Sequence, residues 1–357
     1  VASAELLLTD INNGLFYRTL NVGPGYIGPD GRVLYWNPAF VGQLPTGGTG
    51  SVYTANSRYG RNAYFGDVYL LENTNKGKGQ QLTLSLSKPF SEESDWSWTV
   101  GYTYTQAEEV GALTSATAGS GFGSQYGFNI NEPSSTTARY EIRDRFSGAL
   151  NWSHKFFGDN ATQVGLFYEG RSGRPYSYIF TGDANGDGRT FNDLFYVPSG
   201  PGDVLFGTLS STGAFTPDAA MVQAFWSWMA ENPELARYRG SYAPENAFRA
   251  GWVNTFDVRI SQELPGFFEG HKSKIWLDIQ NVGNLINKDW GHIIDYGFNA
   301  NVAVASLIGI HEGKYVYGYR SGTEFGQATA LGLPTNADGQ TNGVSQWSLQ
   351  VGLKYEF

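Results

Sequence analysis

Cysteine is absent from all 357 residues, so no disulfide staples this chain. The absence fits an oxidising compartment as readily as any other and decides little alone. Long apolar runs are also missing. No stretch reaches 18 residues, which excludes a transmembrane helix. Charge is sparse, at 16% of residues, and its balance is −9. That sign argues against a nucleic-acid surface. The opening VASAELLL has neither the basic start nor the cleavage site of a secretory leader.

What the chain has is glycine and aromatic side chains: 47 Gly, 10 Trp, 22 Tyr and 23 Phe. This mixture suits many strands and turns better than helices. Period-two alternation supports the same reading. Trp96, Trp98, Val100, Tyr102 and Tyr104 share one face, and Ser97, Thr99, Gly101, Thr103 and Thr105 the other. Trp347, Leu349, Val351, Leu353, Tyr355 and Phe357 alternate with Ser348, Gln350, Gly352, Lys354 and Glu356 in the same way. Eight long strands are expected, at about Ala2–Leu20, Asp67–Pro89, Asp95–Thr105, Tyr140–Phe156, Thr162–Phe180, Trp252–Glu263, Ser273–Val282 and Ser345–Phe357.

A soluble β-sandwich would also alternate. Two features favour an antiparallel transmembrane β-barrel: aromatics gather near strand ends, and connections alternate in length. Short turns fall near Ser91–Asp95, Phe157–Asn160 and Leu264–Lys272. Long ones cover roughly Val22–Gly66, Glu108–Thr137, Gly182–Ala250 and Asn284–Val344. In an outer membrane the long connections are extracellular and the short ones periplasmic. An even number of strands then places Val1 and Phe357 at the periplasmic side. A shorter hairpin, Val302–Ile310 with Lys314–Tyr319, is expected above the membrane.

Several stretches resemble one family. KIWLDIQNVGNLINKDWG and the closing WSLQVGLKYEF resemble the end of TonB-dependent receptor barrels. YRGSYAPENAFRAGWVNTFDVRISQELP, LLENTNKGKGQQLTLSLSKPF and SGRPYSYIFTGDANGDGRTFNDLFYVP resemble the Oar-like branch. The resemblance runs over nearly the whole of residues 1–357. It implies the C-terminal part of a plugged barrel of about 22 strands in the outer membrane of a Gram-negative bacterium. It also implies TonB and its energising complex as partners, acting through a plug that this sequence does not contain. The implied function is movement of a bulky substrate, peptides or proteins more than compact siderophores. The alternative is a non-transporting surface protein serving adhesion or complex assembly.

Asp183, Asn185 and Asp187, followed by Gly188, match the opening of a calcium loop. Hard oxygens at this spacing converge when a glycine permits the turn. The twelfth position is Leu194 instead of Glu, so Asp193 is the expected replacement, with the Arg189 carbonyl as a further ligand. A structural Ca2+ is therefore expected in this extracellular loop; the plain alternative is a polar turn without an ion. Pro217–Glu231 reads as a helix capped by Thr216, with Met221, Phe225, Trp226 and Met229 as its apolar stripe. It either packs on its own loop or serves as a lid or partner site. Asp257, Arg259, Asp278 and Lys354 fall on polar strand faces, and a symmetric hairpin would set Arg259 opposite Asp278.

Enzyme chemistry is not expected. His154, His271, His292 and His311 lack metal-ligand spacing, and no G-x-S-x-G elbow occurs. An outer-membrane protease or lipase is the remaining enzymatic alternative.

Overall fold

The computed structural model describes residues 1–36, 58–210, 212–294, 296–319, 325–328 and 345–357. The fold is mostly β-sheet. Among the described residues no helix is long and apolar enough to cross a membrane.

The largest sheet is an antiparallel meander of eight long strands in chain order. They are β1 (Ala2–Asp10), β2 (Lys78–Lys88), β3 (Trp96–Glu109), β4 (Asp144–Phe157), β5 (Asn160–Arg171), β6 (Val253–Pro265), β7 (Lys272–Gln280) and β8 (Ser348–Glu356). The short strand Thr136–Thr137 adds to the end of β3. All eight expected strands are present, each paired with its neighbour in sequence. Among the described residues β1 and β8 pair only with β2 and β7, so the sheet is open. No barrel is closed by these strands.

The registers make one apolar face across the whole sheet. Leu6 faces Leu82, Val100 lies between Leu86 and Gly148, and Leu166 lies between Leu150 and Val258. Ile260 then faces Leu277, which faces Val351. Most of these side chains are exposed; Leu6, Leu353 and Val351 exceed 60%. The other face carries Ser, Thr, Gln, Asn and charged residues. Aromatic rings mark both ends of the apolar band. At the turn end Trp96 meets Trp152, and Trp152 meets Phe156, with ring centres no more than 6.3 Å apart. At the loop end Tyr102, Phe146 and Trp252 make a similar chain, with Tyr168 against Phe256.

Three expected strands are too long, for physical reasons. Ala2–Leu20 breaks after Asp10, and Gly14–Thr19 turns away to pair with Tyr69–Thr74. Gly77 sits opposite the break at φ 122°, with no room for a side chain beside Ile11 and the Glu108 carbonyl. Asp67–Pro89 therefore splits at the same level. Thr162–Phe180 breaks at Ser172–Arg174, where Gly173 packs directly on the Ala250 and Gly251 backbone. Pro175 begins a separate strand, Pro175–Thr181.

The long connections fold into a body with its own core. Its seven-stranded sheet runs Phe215–Pro217, Leu205–Leu209, Lys314–Gly318, Asn301–His311, Pro175–Thr181, Phe248–Arg249, with Gln327–Ala328 added to Asn301–His311. Two of its pairings are parallel, so this sheet is mixed where the large one is antiparallel throughout. The expected hairpin forms as Asn301–His311 with Lys314–Gly318. Phe180, Phe195, Phe206, Phe225, Tyr317 and Met229 fill the core.

Helix α1 (Ala219–Glu231) closes this core with Met221, Phe225 and Met229 buried. Its cap differs from the expected one. Asp218 is the N-cap and accepts the Met221 N–H at 2.9 Å, while Pro217 ends the preceding strand. Thr216 lies within that strand. Trp226 is only half-buried, under the Arg239 guanidinium.

Candidate functional sites

On the polar face, the β6–β7 register sets Arg259 opposite Asp278, as a symmetric hairpin requires. The pair is bidentate, with Nε–Oδ1 at 2.5 Å and Nη2–Oδ2 at 2.7 Å. Beside it Lys274 donates to Gln163 Oε1 at 2.9 Å. These groups line an open cavity of about 760 Å³ with Asp257, Phe167 and Trp276. Asp257 also braces the backbone: its Oδ1 accepts the Asn281 N–H at 2.7 Å, holding a left-handed turn at φ 51°. Lys354 does not join Asp278. It lies opposite Lys274 in register and bonds Glu356 in its own strand. Phe167 and Trp276 belong to no motif that sequence would single out. Their alternation parity, odd among Gln163–Glu169 and even among Ile275–Gln280, already put them on the polar face.

The acidic loop is buried in the body formed by the long connections. Asp183, Asn185, Asp187, Asn192 and Asp193 are all 3% exposed or less. Asp183 accepts three backbone N–H groups, from Gly186, Asp187 and Gly188. Asn185 Oδ1 accepts from Asp187 N at 2.8 Å, and Asp187 Oδ1 from Arg189 N at 2.7 Å. Gly186 and Gly188 both adopt positive φ, which lets the chain curl around these side chains. The loop is fastened from outside by Trp36, whose indole donates to the Ala184 carbonyl at 3.0 Å.

Asp193 stands apart from the first three. Its Oδ2 accepts from Ala184 N and Asn185 N, and its Oδ1 lies 3.7 Å from Arg32. Arg32 is itself enclosed between the Phe128 and Phe180 rings and bonded to Asp30. The Arg189 side chain leaves the loop for Tyr69 and Asp67. Among the described residues no three acidic or histidine side chains form a metal-ligand group. Burial, with the charges of Asp183 and Asp193, drives the Asp187 carboxyl well above the usual carboxylate range. Burial pushes Asp193 up to about 7, against the pull of Arg32.

A second cavity of about 720 Å³ opens beside Gln125–Ile130, with Tyr242 and Glu245 in its wall. Glu245 is paired with Arg139 at 3.2 Å, and burial pushes its carboxyl up to about 7. The histidines are scattered: His154 bonds Asp95, His271 bonds Tyr355, and His292 bonds the Lys288 carbonyl. His311 packs against Phe215.

No family model matches the chain, and neither a curated protein nor a solved structure matches it.

Proposed function

We propose that this chain forms part of the wall, and the outer loops, of an outer-membrane β-barrel that transports a bulky substrate. The observation that carries the reading is the apolar face of the eight-stranded meander. Its side chains are exposed over all eight strands, while the opposite face is polar. Water would not tolerate so large an apolar patch, whereas lipid would cover it. The strands are 9 to 14 residues long, and a tilted membrane-crossing strand needs about 9–11. Aromatic rings at both ends of the band suit the two interfaces.

The open edges of β1 and β8 are the places where further strands would close the wall, since unpaired edges in lipid are costly. The sequence resemblance supplies the rest of the proposal: a plug, energy from TonB, and peptides or proteins as the substrate class. Charged substitutions test the membrane reading. Leu166→Arg and Val100→Arg, on the apolar face, should each cost about 2–4 kcal/mol near the membrane midplane and reduce insertion of the full-length protein. Thr103→Lys, on the polar face, should insert normally. Equal tolerance of all three would overturn the reading.

The transport step needs its own test, because a surface protein would give the same insertion result. Uptake of fluorescent peptides by cells carrying the full-length protein should stop when TonB is removed. Surface binding that persists without TonB, and no uptake with it, would favour adhesion or assembly. The packed outer body is the feature that keeps that second reading in view, since a rigid surface suits a partner.

A further inference from the structure

The connection that follows β7 is built inside out. Over residues 281–294, Asn281 and Asn284 are buried, while no valine, leucine, isoleucine or tryptophan is. Leu285, Ile286, Trp290 and Ile294 are 43–72% exposed. The buried amides account for the inversion. Asn281 Nδ2 donates to the Gly291 and Ser345 carbonyls at 3.0 and 2.9 Å. Asn284 Nδ2 donates to the Lys288 and Trp290 carbonyls, both at 3.0 Å, and its Oδ1 accepts the Trp347 N–H at 3.3 Å. Ser345 is buried, and its Oγ accepts the Ile293 N–H at 3.0 Å. Polar side chains thus tie the backbone together from within, and the large apolar ones are turned outward. Water drives the opposite arrangement.

The exposed side chains continue the apolar face of the large sheet. A Cβ on Gly283 would stand 3.7 Å from the Trp290 Cβ and 4.0 Å from a ring carbon of Phe256, which lies on the apolar face of β6. A Cβ on Gly251 would stand 3.5 Å from Ile294 Cδ1, and the next residue is Trp252, in contact with Phe146. Lys288 and Asp289 of the same segment are exposed as well. Apolar and charged side chains exposed together suit the boundary between acyl chains and headgroups, where long side chains reach toward water.

We propose that residues 285–294 lie in the outer leaflet, with Leu285, Ile286, Trp290 and Ile294 against lipid acyl chains, as an anchor outside the strands. The proposal rests on the membrane reading of the sheet. From sequence this stretch belongs to an extracellular connection. Its continuity with the apolar face selects lipid over a partner protein, because one lipid layer covers both surfaces.

The chain has no cysteine, so single thiols are readily placed in it. The full-length protein, freed of any other reactive thiol, carries a nitroxide at Ile286→Cys or Ile294→Cys in phosphatidylethanolamine–phosphatidylglycerol vesicles. Collisions of the label with oxygen, which concentrates in lipid, are compared with those of a water-soluble nickel chelate. Leu166→Cys on the sheet reports the membrane reading itself. Glu312→Cys reports water, since the Glu312 side chain is 84% exposed between two strands of the outer body. Labels at Ile286 and Ile294 should favour oxygen, as at Leu166, and lose most of the nickel effect seen at Glu312. Nickel access equal to that at Glu312, with Leu166 in lipid, would overturn the anchor alone. An immobilised label reached by neither reagent would place a second copy on the patch and would also overturn it. Nickel access at Leu166 would overturn the membrane reading, and the anchor with it.

Discussion

The Trp276 indole occupies the space where a side chain on Gly352 would stand, across the β7–β8 pair. A ring of this size fits the polar face only because its partner has no Cβ. Gly352→Val should therefore cost about 1–3 kcal/mol through overpacking. Trp276→Ala should relieve most of that cost in the double variant. Thermal unfolding of the inserted protein checks both. Additive losses would mean that the two residues do not share this space.

Arg259 and Asp278 face each other on the same sheet with the arginine side chain 61% exposed. Exposed pairs are worth about 0.2–1 kcal/mol, and bidentate geometry places this one toward the upper end. A double-mutant cycle with Arg259→Ala and Asp278→Ala should return a coupling in that range. Arg259→Lys should lose most of it, since an ammonium cannot span both carboxylate oxygens. A coupling of several kcal/mol would indicate that the pair is enclosed in the full-length protein.

Phe225 is fully buried, with Phe206 at 4.9 Å and Phe325 at 5.3 Å between ring centres. Phe225→Ala should destabilise the outer body by about 3–5 kcal/mol, combining lost burial with a cavity. The eight-stranded sheet has its own pairing and, on the proposed membrane reading, should still insert. Protease sensitivity of the outer loops at normal membrane levels is the expected result. Equal loss of loops and inserted protein would show that the two parts fold as one unit.

Glu245 gives a pH dependence of fixed sign. Its folded carboxyl titrates near 7, while an unfolded glutamate titrates near about 4.3. The folded protein holds the extra proton between these values. The contribution is fully present below the unfolded value, declines as pH rises, and is lost above about 7. Protection of the outer loops from protease should fall between about pH 5 and about 7.5. Glu245→Gln should flatten the part due to this group. An identical profile in parent and variant would remove Glu245 as its source.

Much of the large sheet was legible because strand alternation is local. The parity of Trp96–Thr105 and Trp347–Phe357 assigns every side chain in them to a face without knowledge of any partner. Counting back from a short turn was enough to oppose Arg259 and Asp278. Strand ends were less legible. Ala2–Leu20 reads as one alternating run, but it divides where Gly77, opposite Ile11, takes a positive φ of 122° and Gly14–Thr19 turns to pair with Tyr69–Thr74. The helix cap moved from Thr216 to Asp218 because the residues before it are drawn into a strand beside Leu205–Leu209.

The acidic loop divides in the same way. The spacing of Asp183, Asn185, Asp187 and Gly188 determined that three oxygen-bearing side chains would cap the backbone of one tight turn, since this follows from short-range backbone geometry. The fates of Asp193 and Asn192 were decided by tertiary structure alone. Arg32, 161 positions away from Asp193 in sequence, is carried into the core between Phe128 and Phe180, and one Asp193 oxygen lies 3.7 Å from it. Asn192 is left beside Asp187 with an unmet oxygen. Sequence fixes which groups are available and which face they occupy; a charge brought from a distant segment decides what stands beside them, because electrostatic attraction in a buried site acts through space and not along the chain.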